Sequence, residues 1–577
     1  MSDVSKRPNI LIVLTDQQRF PTSYEPEGLR QWRRDEFVAE RSLAETGVSF
    51  TKNYVMATAC APSRASLLTG QYPPLHGVSQ TDGLGKSFDS PDMFWLAPDT
   101  VPTIGDWFRA DGYRTFFKGK WHASHVALED PSGEGLLLSI DDKGNRIEEN
   151  IAAYLEADLL DEYGFSEWVG PEPHGLGKHN TGTVKDIFTA DETIALLQRF
   201  DADDSDQAWL TVCSFLNPHD SSLFGVVALK QGLRYHPSTV PSIPKPPTQD
   251  EDLSTKPSCQ QSYVDEWKTI AVPQPWIELH RKFHYQMQHA VDGEIARVLD
   301  ALRSSRDCQN TIVVFSSDHG DMLGAHGGMH EKWHNAYEES IHVPFIVAGP
   351  LIDGPREIDV PTSHADLIPT LLGLAGIDPD DARAEIARDH TDARPLVGRD
   401  LSGLIRHDGE HSSEPVLFMT DEPVLFMTDD EISEGAGAGA TPVARLAKKL
   451  RLYSEVVQPN HVETVIADVD VGGERHHVKL SRYFDNQQFW TVPGQRDDRL
   501  HRRKTITVNE PEPDQYELYD LTADPLEQRN LAHPAHATEA SRRLHREMLK
   551  LLVDQLASKR LVSATGVVPG YQPPSPA

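Results

Sequence analysis

The stretch Cys60-Ala-Pro-Ser-Arg64 sets a thiol directly ahead of a proline, a serine and a guanidinium at what reads as a helix start. Proline is tolerated in the first helical turn, where its missing N–H had no intrahelical partner, and Ser66–Leu68 continues as a short apolar helix. A cysteine there faces the positive end of the helix. Unpaired N–H groups and the dipole favour an anion at such a place, whether a thiolate or a bound oxyanion. Lone cysteines are also common as inert packing, so position alone leaves both uses open.

Groups able to do chemistry recur at the ends of apolar runs. Asn9–Thr15 ends in Asp16-Gln17, Thr115–Phe117 leads to Lys118-Gly-Lys120-Trp-His122, Trp209–Leu216 ends in Asn217-Pro-His219, and Thr311–Ser317 ends in Asp318-His319-Gly-Asp321. Singly, Asp16 could cap a helix, His122 or His219 could be a satisfied core imidazole, and a lysine could be a solvated surface charge. Jointly they bring carboxylates, imidazoles and ammonium groups to four strand ends, and open α/β sheets bind ligands outside the carboxyl ends of their strands. Asp16, Gln17, Asp318 and His319 offer oxygen and imidazole donors for one divalent ion. Oxygen sets suit Ca²⁺ or Mg²⁺ and an imidazole moves preference toward Mn²⁺ or Zn²⁺, so Mn²⁺ or Ca²⁺ leads, with Zn²⁺ or Mg²⁺ also compatible. Lys120 and His122, two apart, point the same way on an extended backbone while Trp121 turns to the core. Lys332, in His330-Glu-Lys-Trp-His334, adds a further cation. With Arg64 these lysines could clamp the oxygens of a sulfuryl or phosphoryl group.

The elements that must position these groups are legible from periodicity. Apolar, β-rich runs at Ile10–Leu14, Thr115–Phe117, Trp209–Phe215, Thr311–Phe315 and Val343–Ala348 alternate with helical patterns at Val101–Asp111, Asp191–Phe200, Trp276–Arg303 and Asp366–Ala375. The pattern predicts an α/β fold, a large mostly parallel sheet sandwiched by helices. The Pro-, Ser- and charge-rich segment Ser221–Trp276 reads as a long excursion, a lid or substrate wall. Past residue 430 come a Gly/Ala stretch, Glu434–Ala440, strands at Val462–Val469 and Tyr516–Leu521, and a proline-bearing tail, Val567–Ala577. The expected division is a catalytic unit over 1–430 and a smaller C-terminal α+β subdomain over 431–577. An eight-residue direct repeat, Glu414–Asp421 and Glu422–Asp429, is too short for a repeat architecture and has no evident purpose.

Composition narrows the function. A formal charge of −33 over 577 residues argues against nucleic acid and anionic membrane surfaces. It leaves a small anionic ester open as substrate, because salt screens charges beyond about 10 Å and a few cations in a cleft then decide. Four cysteines, at 60, 213, 259 and 308, show no CxxC spacing, which fits a reducing compartment. The apolar run after the N-terminus is too short for a signal h-region or a span, so a cytoplasmic protein is expected, and a homo-oligomer.

Cys60-Ala-Pro-Ser-Arg64 with Ala65-Ser-Leu-Leu-Thr-Gly70 resembles the C-x-P-S-R sequence of type I sulfatases, in the alkaline phosphatase superfamily. Gly119-Lys-Trp-His122, Asn217-Pro-His219, Ser317-Asp-His-Gly-Asp321, Lys332, Glu517-Leu-Tyr-Asp-Leu521, Asp524-Pro-Leu-Glu527 and Asn530-Leu531 extend the resemblance along most of the chain. It implies that Cys60 is a precursor, oxidised to formylglycine by a formylglycine-generating enzyme, a transient partner. In the implied site the aldehyde hydrate binds the metal, Arg64 holds it, and Lys120 and Lys332 hold the sulfuryl oxygens. His219 with Lys332 protonates the leaving oxygen, and His122 takes the proton whose loss expels sulfate. Gln17 and His319 stand where many sulfatases have Asp and Asn, and this pair is more similar to phosphonate monoester hydrolases, phosphodiesterases and some alkyl or choline sulfatases. Three functions are therefore carried forward: hydrolysis of aryl or alkyl sulfate monoesters, hydrolysis of phosphonate monoesters or phosphodiesters at the same site, and non-catalytic binding of a sulfated ligand.

Overall fold

The computed structural model describes residues 6–563 and residue 574, apart from 83–87, 89–92, 134, 174–176, 204, 224–238, 271–276, 408–412, 421–455, 491–493 and 501–503. Its large sheet has seven strands: β1 (Asn9–Asp16), β2 (Val48–Phe50), β3 (Arg114–Gly119), β4 (Trp209–Pro218), β5 (Thr311–Ser317), β6 (Phe345–Ala348) and β7 (Arg356–Ile358). They lie in the order β3-β4-β1-β5-β6-β2-β7, and β6 alone runs against the others. The fold is the mostly parallel α/β sheet expected from the sequence.

The central strand explains itself residue by residue. Ile10, Ile12 and Leu14 enter one core with Leu67 and Leu68 of α1 (Cys60–Thr69). Leu11 and Val13 enter another, with Leu196 and Leu197 of α2 (Gly182–Ala202) and Val291, Ile295 and Val298 of α3 (Ile277–Ser304). A strand buried on both faces reads as a continuous apolar run, which is what parallel sheets between helices require.

The elements differ from expectation mainly in length. The helix expected at Ser66–Leu68 begins at Cys60, that at Asp191–Phe200 begins at Gly182, and that at Val101–Asp111 is confined to Ile104–Arg109, where Thr103 caps it. The excursion is not all loop. Ser258–Ile270 is helical, and Leu253, Cys259, Tyr263 and Val264 are buried in a core that faces the C-terminal sheet. An i, i+4 apolar pair at Cys259 and Tyr263 supplies that buried face despite the polar composition around it.

The C-terminal sheet is antiparallel, in the order β8 (Val416–Thr420), β9 (His461–Val471), β10 (Glu474–Phe484), β11 (Gln515–Asp520), with α4 (Glu539–Lys559) packed on one face. Its first strand is the first copy of the direct repeat. The second copy, the expected boundary at 430 and the Gly/Ala stretch lie outside the described residues, as does most of the tail. Both faces of this sheet share cores with the large unit: Val416, Phe418 and Tyr519 pack with Tyr54 and Tyr337, and Leu417 and Leu480 with Met56 and Tyr72. No helix among the described residues is long and apolar enough to cross a membrane.

One backbone position ties this frame to the chemistry. Gly119 ends β3 at φ +90°, and a Cβ there would lie 2.0 Å from the carbonyl oxygen of Ser214 on β4. Gly119→Ala must therefore separate the two strand ends that carry Lys120 and Ser214. We expect a stability loss of about 2–4 kcal/mol, read as a lower urea midpoint, together with a fall in kcat. An unchanged midpoint would show that the strands part without cost.

Candidate active site

The parallel pairing of β1 with β5 sets Thr15 beside Ser317, so that Asp16 leaves one strand where Asp318 and His319 leave the other. Helix α1 points its first residue, Cys60, into this gap. The thiol is buried, with Sγ 3.0 Å from His319 Nε2 and 3.9 Å from Asp16 Oδ1. One turn later Arg64, fully buried, gives Nε to Asp318 Oδ2 (2.8 Å), Nη2 to Asp16 Oδ2 (3.2 Å), and Nη1 to Ser214 Oγ and the Lys120 carbonyl (2.8 Å each). The sequence left capping and ligation open for Asp16. In the fold it caps no helix and answers to Arg64 and to Lys120, whose Nζ lies 2.5 Å from Oδ2.

Lys120 and His122 follow β3. Trp121 between them is fully buried, as alternation predicts, but His122 has φ +55°, so the backbone turns there instead of staying extended. The turn is held by Glu172, whose Oε1 accepts the N–H groups of Trp121 (2.8 Å) and His122 (3.0 Å). His122 Nε2 meets Asp82 Oδ1 at 2.6 Å. His219, half-buried, opens the short 3₁₀ turn after β4 and lies close enough to lower the pKa of both Asp16 and Glu331. Lys332 Nζ reaches Gln17 Oε1 (3.3 Å) and Glu331 Oε2 (3.0 Å). Gln17, at φ +73°, turns its amide toward Lys332, Ser222 and Asp321. All ten residues singled out from the sequence thus converge. Asp82, Glu172 and Glu331 were not singled out. Glu331 adjoins Lys332 in sequence, whereas Asp82 and Glu172 lie in loops that carry no periodic signal.

The electrostatics follow from burial against local charge. Burial pushes the Cys60 thiol up, but Lys332, Lys120 and His319 outweigh it and hold it well below the ordinary thiol range. Burial and Cys60 push Asp16 up, and Lys120, His219 and Arg64 more than reverse this. Asp318 is raised, by burial and by Asp16 beside it. For His122, burial and Lys120 act downward, yet Asp82 and Cys60 bring it to about 9.

Ligand atoms of Asp16, Cys60, Asp318 and His319 lie within 4.8 Å of one another, all buried. His319 Nδ1 contacts the Gly320 carbonyl at 2.9 Å, an acceptor, so Nδ1 carries the hydrogen. Nε2 then turns its lone pair toward Asp16 (3.9 Å) and Asp318 (3.7 Å), which is how a metal-ligating imidazole is oriented by its second nitrogen. The donor set fits one divalent cation.

Comparison with known proteins bears on the same residues. The chain is 27% identical over 429 residues to a choline-sulfatase of Rhizobium meliloti, covering 71% of this chain and 73% of that one. It is 28% identical over 392 residues to a Delta 4,5-hexuronate-2-O-sulfatase of Bacteroides thetaiotaomicron, covering 65% and 70%. Among solved structures, the phosphonate monoester hydrolase of Agrobacterium radiobacter shares the fold with a TM-score of 0.54 at 20% identity, over 95% of this chain and 96% of that one. The family model for Sulfatase matches residues 8–377, which include every residue of the cluster, and the chain belongs to the sulfatase family.

Proposed function

We propose that the chain hydrolyses sulfate monoesters of aryl or alkyl alcohols, with Cys60 matured to formylglycine by a formylglycine-generating enzyme. The observation that supports this most directly is the position of Cys60 Sγ, buried against His319 and within the field of Lys120 and Lys332. That sulfur stands in for the hydrate oxygens of the mature residue. Formylglycine in hydrated form supplies one hydroxyl for attack at sulfur and a second whose deprotonation releases sulfate. Asp16, Asp318 and His319 would hold the divalent ion, Mn²⁺ or Ca²⁺ foremost, which when bound lowers the pKa of a coordinated hydroxyl, and Gln17 would join them by turning its amide away from Lys332.

The chain's own groups do the rest. Lys120 and Lys332 bind the sulfuryl oxygens. His219, half-buried at the end of β4, hands a proton to the leaving oxygen with Lys332 beside it. His122 accepts the proton of the second hydroxyl, oriented through Nε2 by Asp82. Acid and base help of this kind is worth about 10²–10⁴-fold each. Arg64, with its donors spent on Asp16, Asp318, Ser214 and the Lys120 carbonyl, acts on the reaction by positioning both carboxylates. Gln17 and His319 favour a second reading, hydrolysis of phosphonate monoesters or phosphodiesters by the same groups. We place the protein in a reducing compartment, the cytoplasm, because all four cysteines are free.

Maturation is tested first: Cys60→Ala should abolish turnover of a nitrophenyl sulfate while leaving the fold intact by circular dichroism. Substantial residual activity would end the formylglycine reading, and a panel with one leaving group on sulfate, phosphodiester and phosphonate ranks the two substrate classes.

The base is tested by pH. A base works in its neutral form, and His122 acts after the ester bond has broken. It is therefore kcat, under conditions where release of sulfate limits turnover, that must rise with pH through the pKa of His122, which is about 9 with Cys60 as the thiol and lower once maturation removes that neighbour. Asp82→Asn deletes the main upward influence, so the rising limb should move to lower pH by about one unit or more. A limb that stays in place would exclude His122 as the group titrating.

The acid is tested by leaving group. Activated phenols leave unaided and alcohols do not, so His219→Ala should depress alkyl sulfates far more than nitrophenyl sulfate. Parallel dependence on leaving-group pKa in wild type and variant would make His219 a substrate-positioning residue only.

A further inference from the structure

A second group of metal-type ligands lies at the seam between the large unit and the C-terminal sheet. His326 in the loop after β5, Glu339 just ahead of β6 and Glu527 after β11 place their ligand atoms within 4.8 Å of one another, all buried. His326 Nε2 is 3.8 Å from Glu339 Oε2, too long for a hydrogen bond. It suits two ligands sharing an ion through bonds of about 2.0–2.2 Å.

Each of the three is fixed from its outer side. His326 Nδ1 contacts Glu251 Oε2 at 2.8 Å and its ring stacks on Tyr337 with centroids 3.6 Å apart. Tyr24 donates its hydroxyl to Glu339 Oε1 at 2.9 Å. Glu527 meets Lys479 Nζ at 2.7 Å on Oε1 and accepts the Glu338 N–H at 2.8 Å on Oε2. With Glu251 ionised its carboxylate only accepts, so the His326 hydrogen sits on Nδ1 and Nε2 presents a lone pair toward Glu339 and Glu527. Glu339, Glu527 and that lone pair then converge, and a cation or a proton held by Glu527 must bridge them. The arrangement repeats that of His319, whose Nδ1 is likewise tied back while Nε2 faces two carboxylates.

Charge points the same way. Leaving histidines aside, five carboxyl groups in this network, Glu251, Glu338, Glu339, Glu517 and Glu527, face three cations, Lys256, Lys479 and Arg19, and burial raises Glu251 to about 7 and Glu527, which also faces Glu338 and Glu339, to about 8. Buried carboxyl groups are tolerated when paired, protonated or coordinated, and one divalent cation would take the place of two protons here.

We propose that His326, Glu339 and Glu527 bind a divalent cation of the kind that accepts imidazole, Zn²⁺ or Mn²⁺, joining the large unit to the C-terminal sheet. Its role is structural, since its three ligands come from separate segments and none belongs to the catalytic cluster. The test uses the full chain, stripped with a chelator, reloaded with Zn²⁺ alone, desalted and analysed for metal per chain. Wild type should keep one equivalent more than His326→Gln, and Asp318→Asn, which reports on the catalytic cluster alone, should leave the seam equivalent in place. His326→Gln holding as much zinc as wild type would overturn the proposal. If that variant does not fold, anomalous diffraction from zinc-loaded wild-type crystals decides: a peak among the three side chains supports the site, and no peak there, with a proton shared among them instead, overturns it.

Discussion

The structure depends on one buried guanidinium. Arg64, one turn into α1, spans from Asp318 to Asp16, so a single side chain couples the helix bearing Cys60 to the ends of two central strands. Two carboxylates this close would repel each other in a low dielectric, and a rigid fork of N–H donors is the group best shaped to hold both. Taking one partner from such a buried ionic set typically costs about 3–5 kcal/mol, because the others stay behind unpaired. Its third nitrogen fixes the Lys120 carbonyl and Ser214, which extends the same constraint to β3 and β4. Four strands and a helix are thereby held in register at the point where Cys60 stands.

How much of this could be read in advance depended on where a residue sits. Strands such as Asn9–Asp16 and Thr311–Ser317 are buried on both faces and announce themselves as apolar runs, so the polar residues that end them were conspicuous. Helix α2 was foreseen only from Asp191 because its first turns bury polar groups: Lys185 and Asp186 are both buried, and Asp186 accepts the N–H groups of Leu216 and Asn217. A carboxylate serving a strand end breaks the apolar stripe that pattern reading relies on. Asp82 and Glu172 escaped for a related reason. They act through contacts between loops far apart in sequence, which no local spacing encodes.

The C-terminal sheet is bound into the whole by polar contacts as much as by packing. Glu517 on β11 accepts from Tyr337 (2.7 Å), Tyr519 (2.6 Å), Tyr483 (2.6 Å) and Gln260 (3.0 Å), drawing together the loop before β6, the excursion helix and two strands of the sheet. A buried network in which every lone pair is used specifies one arrangement of the parts and penalises slippage. Tyr337 belongs to the stretch between Lys332 and β6, so the sheet that adds no residue to the buried cluster nonetheless fixes the path of the segment that carries Lys332.

Charge inside the cleft bears on which ester it can hold. The formal −33 is spread over the surface and screened within about 10 Å, so it decides little at the bottom of a buried site. There, Arg64, Lys120 and Lys332 are matched by Asp16, Asp318 and Glu331, so the positive charge left for a substrate is that of the divalent ion the site would hold. A phosphate monoester brings nearly two negative charges at neutral pH, whereas a sulfate monoester or a phosphodiester brings one. A site whose side-chain cations are already engaged has only that ion's charge to offer and stabilises a second negative charge less well, while its desolvation still costs. On the proposed reading, selection between substrate classes is set by the carboxylates around the lysines as much as by the lysines themselves, with Glu331, in contact with Lys332, the most direct influence.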